Sequence, residues 1–295
     1  MIRSGSTDSG SLAFHGPGVD AALAAKRREL ERILGGLGRT LVAYSGGVDS
    51  SVLLVEAARV LGSDAAGVIA RSPSLPAREL QDAIDLATRH GVVVRVIETH
   101  ELEREGYRRN APDRCFHCKT ELFERLEDLA DREGWNTVAY GAIVDDLGDT
   151  RPGMRAADVH RVRAPLIEAG IGKLEVRVLA RALGLRVWDK AASACLASRV
   201  PHGSEVTPEK LGQIERGEDW LRSAFGLGTV RLRHEGARAR IEARVGDIPR
   251  LEAEISRIAL YLRDLGFDEV QIDPRGYRRP DPLPRSEEEL ADAQS

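Results

Sequence analysis

The stretch "LVAYSGGVDSSVLL", residues 41–54, decides the fold. A short apolar run ends in Ser45-Gly46-Gly47, and a helical pattern begins at Val48. A strand that enters a helix through glycines opens a βαβ unit. Glycines let the backbone approach an anion closely, and the free N–H groups at a helix start favour phosphate. The hydroxyls of Ser45, Ser50 and Ser51 add donors. An ordinary glycine turn explains two adjacent glycines just as simply. The stretch lacks the lysine and spacing of GxxxxGK[ST], and it is not GxGxxG.

Outward from this turn the alternation continues. "ALAAKRRELERILGGL" precedes it with helical spacing, and "SSVLLVEAARVLG" follows as a helix. "AAGVIA", "VVVRVIE" and "TVAYGAI" read as strands, separated by the helices "ARELQDAIDLATRHG" and "KTELFERLEDLADREG". Short apolar strands between longer helices predict an α/β fold, a parallel sheet with helices on both faces, over residues 20–190. The pattern then changes. "TPEKLGQIERGEDWLRSAFG" reads as a helix with Thr207 as N-cap and Pro208 at its first position. "TVRLRHEG" and "ARARIEARV" read as strands, "IPRLEAEISRIALYLRDLG" as one helix and "DEVQID" as a last strand. This series predicts a smaller C-terminal α+β domain over 191–278. Residues 1–19 read as a flexible leader and 279–295 as a disordered tail.

The chain has 295 residues, 42% hydrophobic and 31% charged, enough apolar material for a core. A formal charge of −4 supplies no field that would draw nucleic acid. No apolar run approaches the roughly 20 residues of a membrane span, and the N-terminus has no signal-peptide core. A cytoplasmic protein without membrane or nucleic-acid partners is expected.

Two of only three cysteines stand in "NAPDRCFHCK", residues 110–119, and the third in "SACLASR". A Cys-x-x-Cys pair puts two sulfurs within reach of one metal, one cluster or each other. Cys115 and Cys118 are read four ways: a redox pair, half a zinc site with Cys195 and His117 or His202, incidental thiols, or ligands of an iron–sulfur cluster with Cys195. Arg199, four positions after Cys195, would stabilise a thiolate there.

Three further groups stand out. The helix after Pro208 carries Leu211, Ile214, Leu221 and Phe225 at helical spacing, and Glu218 fills the gap in that stripe. A carboxylate on a buried stripe costs energy unless paired, so it is often functional; an edge position in water is the plainer reading. Arg231 and Arg233 alternate with apolar residues and share one strand face, a clamp for an anion or a solvated face that Arg238 and Arg240 extend. Asp145, Asp146 and Arg151 follow an apolar strand, at the sheet edge where open α/β folds bind ligands. A carboxylate in this region would suit Mg²⁺ carried by nucleotide phosphates.

"SGGVDSS" with its flanking strand and helix resembles the PP-loop of the ATP pyrophosphatase superfamily. "NAPDRCFHCK", "YGAIVDDLGDTRPG", "RAPL", "GKLEVRVLARALGL", "ACLASR" and "GTVRLRHEG" resemble, in order and spacing, the LarE family of ATP-dependent sulfur transferases. The resemblance implies a PP-loop (adenine nucleotide alpha hydrolase-like) fold. It implies ATP bound with Mg²⁺ at Ala43, Ser45, Gly46, Gly47, Val48, Asp49, Ser50, Ser72 and Gly141, with Ser72 beside the adenine. The implied substrate is pyridinium-3,5-biscarboxylic acid mononucleotide, adenylylated and converted to thiocarboxylates for the nickel-pincer cofactor of lactate racemase. Arg199, Arg231, Arg233 and Asp247 would bind it, and Glu218, or its neighbour Asp219, would be catalytic. The three-cysteine branch of the family implies a 4Fe-4S cluster on Cys115, Cys118 and Cys195 carrying a replaceable sulfide. A single-cysteine branch instead surrenders the sulfur of the residue aligned with Cys195. The resemblance also implies a homo-oligomer and contact with other nickel-pincer biosynthesis proteins. A PP-loop tRNA thiolase is the remaining alternative; the acidic balance and the lack of a basic arm argue against it.

Overall fold

The computed structural model describes residues 19–147, 152–190 and 194–277. The expected tail, the expected leader save Val19, and Arg151 lie outside these residues. Helix α1 (Val19–Gly35) leads to β1 (Thr40–Ala43), which enters α2 (Val48–Leu61) through the glycine turn. Then follow β2 (Ala65–Arg71), α3 (Ala77–Arg89), β3 (Val94–Glu98), the short α4 (Glu105–Arg108), α5 (Arg114–Glu133) and β4 (Thr137–Tyr140). Helices α6 (Pro152–Val159), α7 (Pro165–Glu168) and α8 (Lys173–Ala182) close this part.

The four strands form one parallel sheet in the order β3-β2-β1-β4. All four residues of β1 are buried, as expected of a strand covered on both faces. Alternate side chains serve opposite cores. Val42 packs in a cluster with α1, α2 and α8, while Leu41 and Ala43 pack in another with Phe123 and Leu126 of α5. The chain order reverses at β1, which has β2 on one side and β4 on the other. Ligands collect at such a switch point in open α/β sheets, and the glycine turn lies there.

After a 3₁₀ turn at Leu196–Arg199 come α9 (Pro208–Phe225), β5 (Val230–Glu235), β6 (Arg238–Ala243), α10 (Ile248–Ala253), α11 (Ile255–Asp264) and β7 (Glu269–Ile272). Strand β6 lies between β5, antiparallel, and β7, parallel. Helix α9 presses close on β5, because a Cβ at Gly217 would stand 2.5 Å from Leu232 Cδ2. A third core forms here, and Tyr107 from the first part belongs to it.

Two expectations shift. The single helix expected after β6 is interrupted at Glu254, where the backbone takes φ −108° and ψ 16°. Helix α5 begins at Arg114 and not at Lys119, so Cys115 and Cys118 lie inside its opening turns. Cys, Phe and His are weak helix formers, but the contact of Cys118 with the third core outweighs their propensity.

Candidate functional site

Gly46 takes φ 70°, and a Cβ there would fall 2.6 Å from Ala83 Cβ, so only glycine fits. The turn is laced by its serines. Ser51 Oγ donates to the Gly47 carbonyl at 2.7 Å, and the Ser45 and Ser50 hydroxyls meet at 3.1 Å. Gly47 caps α2 without any side-chain bond, which leaves the helix-start N–H groups open to an anion. From the neighbouring strand, Gly141 packs against this start; a Cβ on it would sit 2.6 Å from the Ser50 nitrogen.

A cavity of about 170 Å³ opens beside the turn. Of the expected nucleotide residues it is lined by Ala43, Ser45, Gly47, Asp49, Ser50 and Gly141. Gly46 instead bends the chain, Val48 is buried, and Ser72 stands past the end of β2, its Oγ accepting the Ser74 N–H at 3.2 Å. Lys119 also lines the cavity, a residue that sequence reasoning passed over. Its ammonium lies 5.6 Å from the Phe123 ring centre and 5.9 Å from that of Tyr140. Phe123 is four residues on in the same helix, a spacing that was visible in the sequence.

Asp49 is pushed up to about 6 by burial, with Asp146 and Asp145 adding and Arg177 and Lys173 opposing. Asp145 accepts the Lys173 backbone N–H at 2.7 Å, and Asp146 accepts that of Ile143 at 3.1 Å.

Cys115 is exposed, while Cys118 and Cys195 are half-buried against the third core. Burial pushes the Cys118 thiol well up, and Glu101, Cys195 and Cys115 add to the rise. Burial likewise raises the Tyr107 hydroxyl, with Cys195 and Cys118 contributing. Three thiols are a donor set of the type that holds three irons of a 4Fe-4S cluster, and Cys195 and Cys115 both act on Cys118. Among the described residues, no three His, Cys, Asp or Glu side chains are gathered to hold a metal ion.

The Cys195 turn is tied on several sides. The Leu196 N–H donates to the Ser74 carbonyl at 2.8 Å, and Ser74 Oγ meets the Tyr107 hydroxyl at 2.5 Å. Arg199 donates from Nη1 to the carbonyls of Ala194 and Cys195, which ties it to the backbone of the Cys195 turn. Its other nitrogens grip Glu218 at 2.9 and 3.2 Å.

Glu218 is 1% exposed, on the buried stripe as expected. It accepts four bonds, two from Arg199, one from Arg222 at 2.6 Å and one from the Leu232 N–H at 3.1 Å. Burial raises its pKa, but Arg199 and Arg222 outweigh burial and hold it below the usual carboxylate range. A carboxylate with every lone pair engaged positions its partners and is a poor proton acceptor. Asp219 is a surface partner of Arg222 at 2.8 Å.

Arg231 and Arg233 share one face of β5, opposite buried Val230, Leu232 and His234. Arg231 lies over the Tyr277 ring at 5.4 Å, and burial lowers its pKa, with Arg199 adding. Arg233 donates to the Ser198 carbonyl at 2.9 Å and to Glu242 at 2.8 Å. Asp247 stands at the start of α10, with no side-chain capping bond.

Asn110 and Arg114, inside the cysteine stretch, join the two parts and were not singled out from sequence. Asn110 is fully buried with φ 54°, and its amide donates to the carbonyls of Val200, Pro201 and Ser204. An asparagine in this left-handed region is a recognisable signal, but only once the backbone is known.

No family model matches the chain. It is 41% identical to an uncharacterised protein of Synechocystis sp. over 258 residues, covering 87% of this chain and 96% of the relative. It is 37% identical to the pyridinium-3,5-bisthiocarboxylic acid mononucleotide synthase of Lactiplantibacillus plantarum, over 88% of this chain and 94% of that enzyme. An uncharacterised protein of Methanocaldococcus jannaschii is 30% identical over 81% of this chain and 91% of its own. Among the described residues, no helix is long and apolar enough to cross a membrane.

Proposed function

The chain belongs to the LarE family of sulfur transferases, and from that premise we propose that it is an ATP-dependent synthase. Its substrate is pyridinium-3,5-biscarboxylic acid mononucleotide, whose carboxylates it converts to thiocarboxylates. One observation carries the reading. The Cys195 turn is bonded on one side to Ser74, beside the wall of the nucleotide cavity, and on another to Glu218 and Arg233. A sulfur-bearing turn therefore stands between a phosphate-type pocket and an arginine-rich face.

The reaction has two halves. In the first, ATP lies with its phosphates on the N–H groups of the glycine turn and the hydroxyls of Ser45 and Ser50. The Lys119 ammonium offsets the charge that builds there, and Mg²⁺ bound with the nucleotide would add to that effect. A substrate carboxylate oxygen attacks the α-phosphorus, pyrophosphate leaves and an acyl-adenylate forms. In the second, a sulfur nucleophile presented at the Cys195 turn attacks the acyl carbon, and AMP leaves with the former carboxylate oxygen. Arg231 and Arg233 hold the substrate's anionic groups, while Glu218 and Arg199 fix the turn. Cys115, Cys118 and Cys195 would hold a 4Fe-4S cluster, whose contribution when bound is an open iron that keeps an exchangeable sulfide.

The test incubates anaerobically reconstituted protein with ATP and the biscarboxylate mononucleotide. AMP, pyrophosphate and a thiocarboxylate product are expected together, and AMP without substrate-borne sulfur would sink the reading. Iron and labile sulfide are counted per chain in the native protein and in a Cys115→Ala, Cys118→Ala variant. Iron lost in the variant supports the cluster. A folded, iron-free protein that loses sulfur from Cys195 during reaction would make that cysteine the donor.

A further inference from the structure

The cysteine pair and Cys195 come from distant parts of the chain, and two buried side chains tie their segments together. Asn110 is fully buried between α4 and α5, in the left-handed conformation that asparagine tolerates. Its side-chain nitrogen lies 3.1 Å from the Val200 carbonyl oxygen, 2.7 Å from that of Pro201 and 3.0 Å from that of Ser204. Its own backbone carbonyl accepts the Gly203 N–H at 3.1 Å. Two residues earlier, the Arg108 carbonyl accepts the Val206 N–H at 2.9 Å. The segment that follows the Cys195 turn is therefore stitched along the approach to α5.

Arg114 supplies the bond that reaches the turn itself. It is buried, and its Nη1 donates to Asn110 Oδ1 at 2.6 Å and to the Ala197 carbonyl at 2.7 Å. Arg114 directly precedes Cys115, and Ala197 is two places after Cys195. One nitrogen thus spans the gap between the first residue of α5 and the 3₁₀ turn. Removing either side chain would strand buried carbonyls without a donor, so the arrangement is stiff.

We propose that Asn110 and Arg114 are positioning residues, a clasp that holds the Cys195 turn against the opening turns of α5 and so sets the reach between Cys195 and the Cys115–Cys118 pair. That the three sulfurs serve one cluster rests on the function proposed above; the clasp does not. It acts on the backbone, one residue from Cys115 and two from Cys195, and leaves each sulfur to turn about its own side-chain bonds. Groups that orient metal ligands from behind typically change metal affinity about 10–100-fold.

The test treats the iron-free full chain anaerobically with dibromobimane, which joins two thiols that lie close together. A Cys115→Ala background makes the bridge report Cys118 and Cys195 alone. Asn110→Gly keeps the left-handed backbone and removes only the side chain. In it the ratio of bridged to singly alkylated protein is expected to fall several-fold, with affinity for a non-hydrolysable ATP analogue unchanged. Arg114→Lys, which keeps the charge but shortens the reach, is expected to fall between, and it decides the matter if Asn110→Gly does not fold. In the chain with all three cysteines, Asn110→Gly is expected to hold iron about ten- to a hundred-fold more weakly against a chelator. An unchanged bridging ratio overturns the proposal. So does a matching loss of ATP-analogue affinity, which marks a merely structural residue. Bridging that depends on Asn110, in a native chain that takes up no iron, would keep the clasp and remove the cluster.

Discussion

Two carboxylates, half-buried Asp49 and buried Glu218, are driven in opposite directions. Asp49 stands among Asp145 and Asp146 and is pushed up to about 6. Glu218 stands among Arg199, Arg222 and Arg231 and is held down. The residue type is similar and burial raises both; the company differs. Beside the glycine turn, two further carboxylates add to the rise that burial gives Asp49, with Arg177 and Lys173 opposing. Beside β5, guanidiniums more than offset the burial of Glu218. Under the proposed function the first setting suits a cation arriving with a nucleotide and the second an anionic substrate.

The comparison can be broken most severely at Glu218. Replacing it with Gln leaves the buried Arg199 without a carboxylate and Arg222 with Asp219 alone, and a loss of about 3–5 kcal/mol at pH 7 is expected in urea unfolding. Because its folded pKa is depressed, the stability it provides is present above the unfolded value and lost as pH falls through the folded one. The gap between native and variant protein should therefore narrow in acid; a gap independent of pH would refute the charge account. Asp49→Asn should act in the opposite sense. With its folded pKa near 6 against 3.8 unfolded, the folded state takes up protons between those values, so stability falls as pH rises through that window. The variant should gain about 1–3 kcal/mol at pH 7 and little at pH 4, while losing affinity for Mg-ATP. A variant less stable at pH 7 would show that Asp49 is held as a favourable anion. Asp146→Asn should lower the Asp49 midpoint toward the ordinary carboxylate range, observable by carboxyl NMR. Thr207→Ala, at the start of α9, sets the scale of an uncharged change. It loses the bond to the Lys210 N–H and should cost about 1 kcal/mol.

Local pattern made several features legible. The glycine turn announces itself because few other residues satisfy its backbone. The shared face of Arg231 and Arg233 follows from the two-residue period of a strand, and the burial of Glu218 follows from the gap it fills in an apolar stripe. The partners of Glu218 were hidden, because Arg199 comes from another segment and arrives through tertiary packing. Lys119 and Arg114 belong to one quoted stretch, yet α5 places Lys119 in the wall of the cavity beside the glycine turn and Arg114 beside Arg199, Arg233 and Arg240. That division depends on α5 starting at Arg114, which packing against the third core decides and residue propensity does not.

Ser74 and Leu75 are neighbours with different duties. Leu75 forms part of the wall of the cavity beside the glycine turn, and the Ser74 carbonyl holds the N–H of Leu196, the residue after Cys195. The wall of that cavity and the turn that carries Cys195 are thus one peptide apart, joined by a single backbone hydrogen bond, so neither can shift without straining the other.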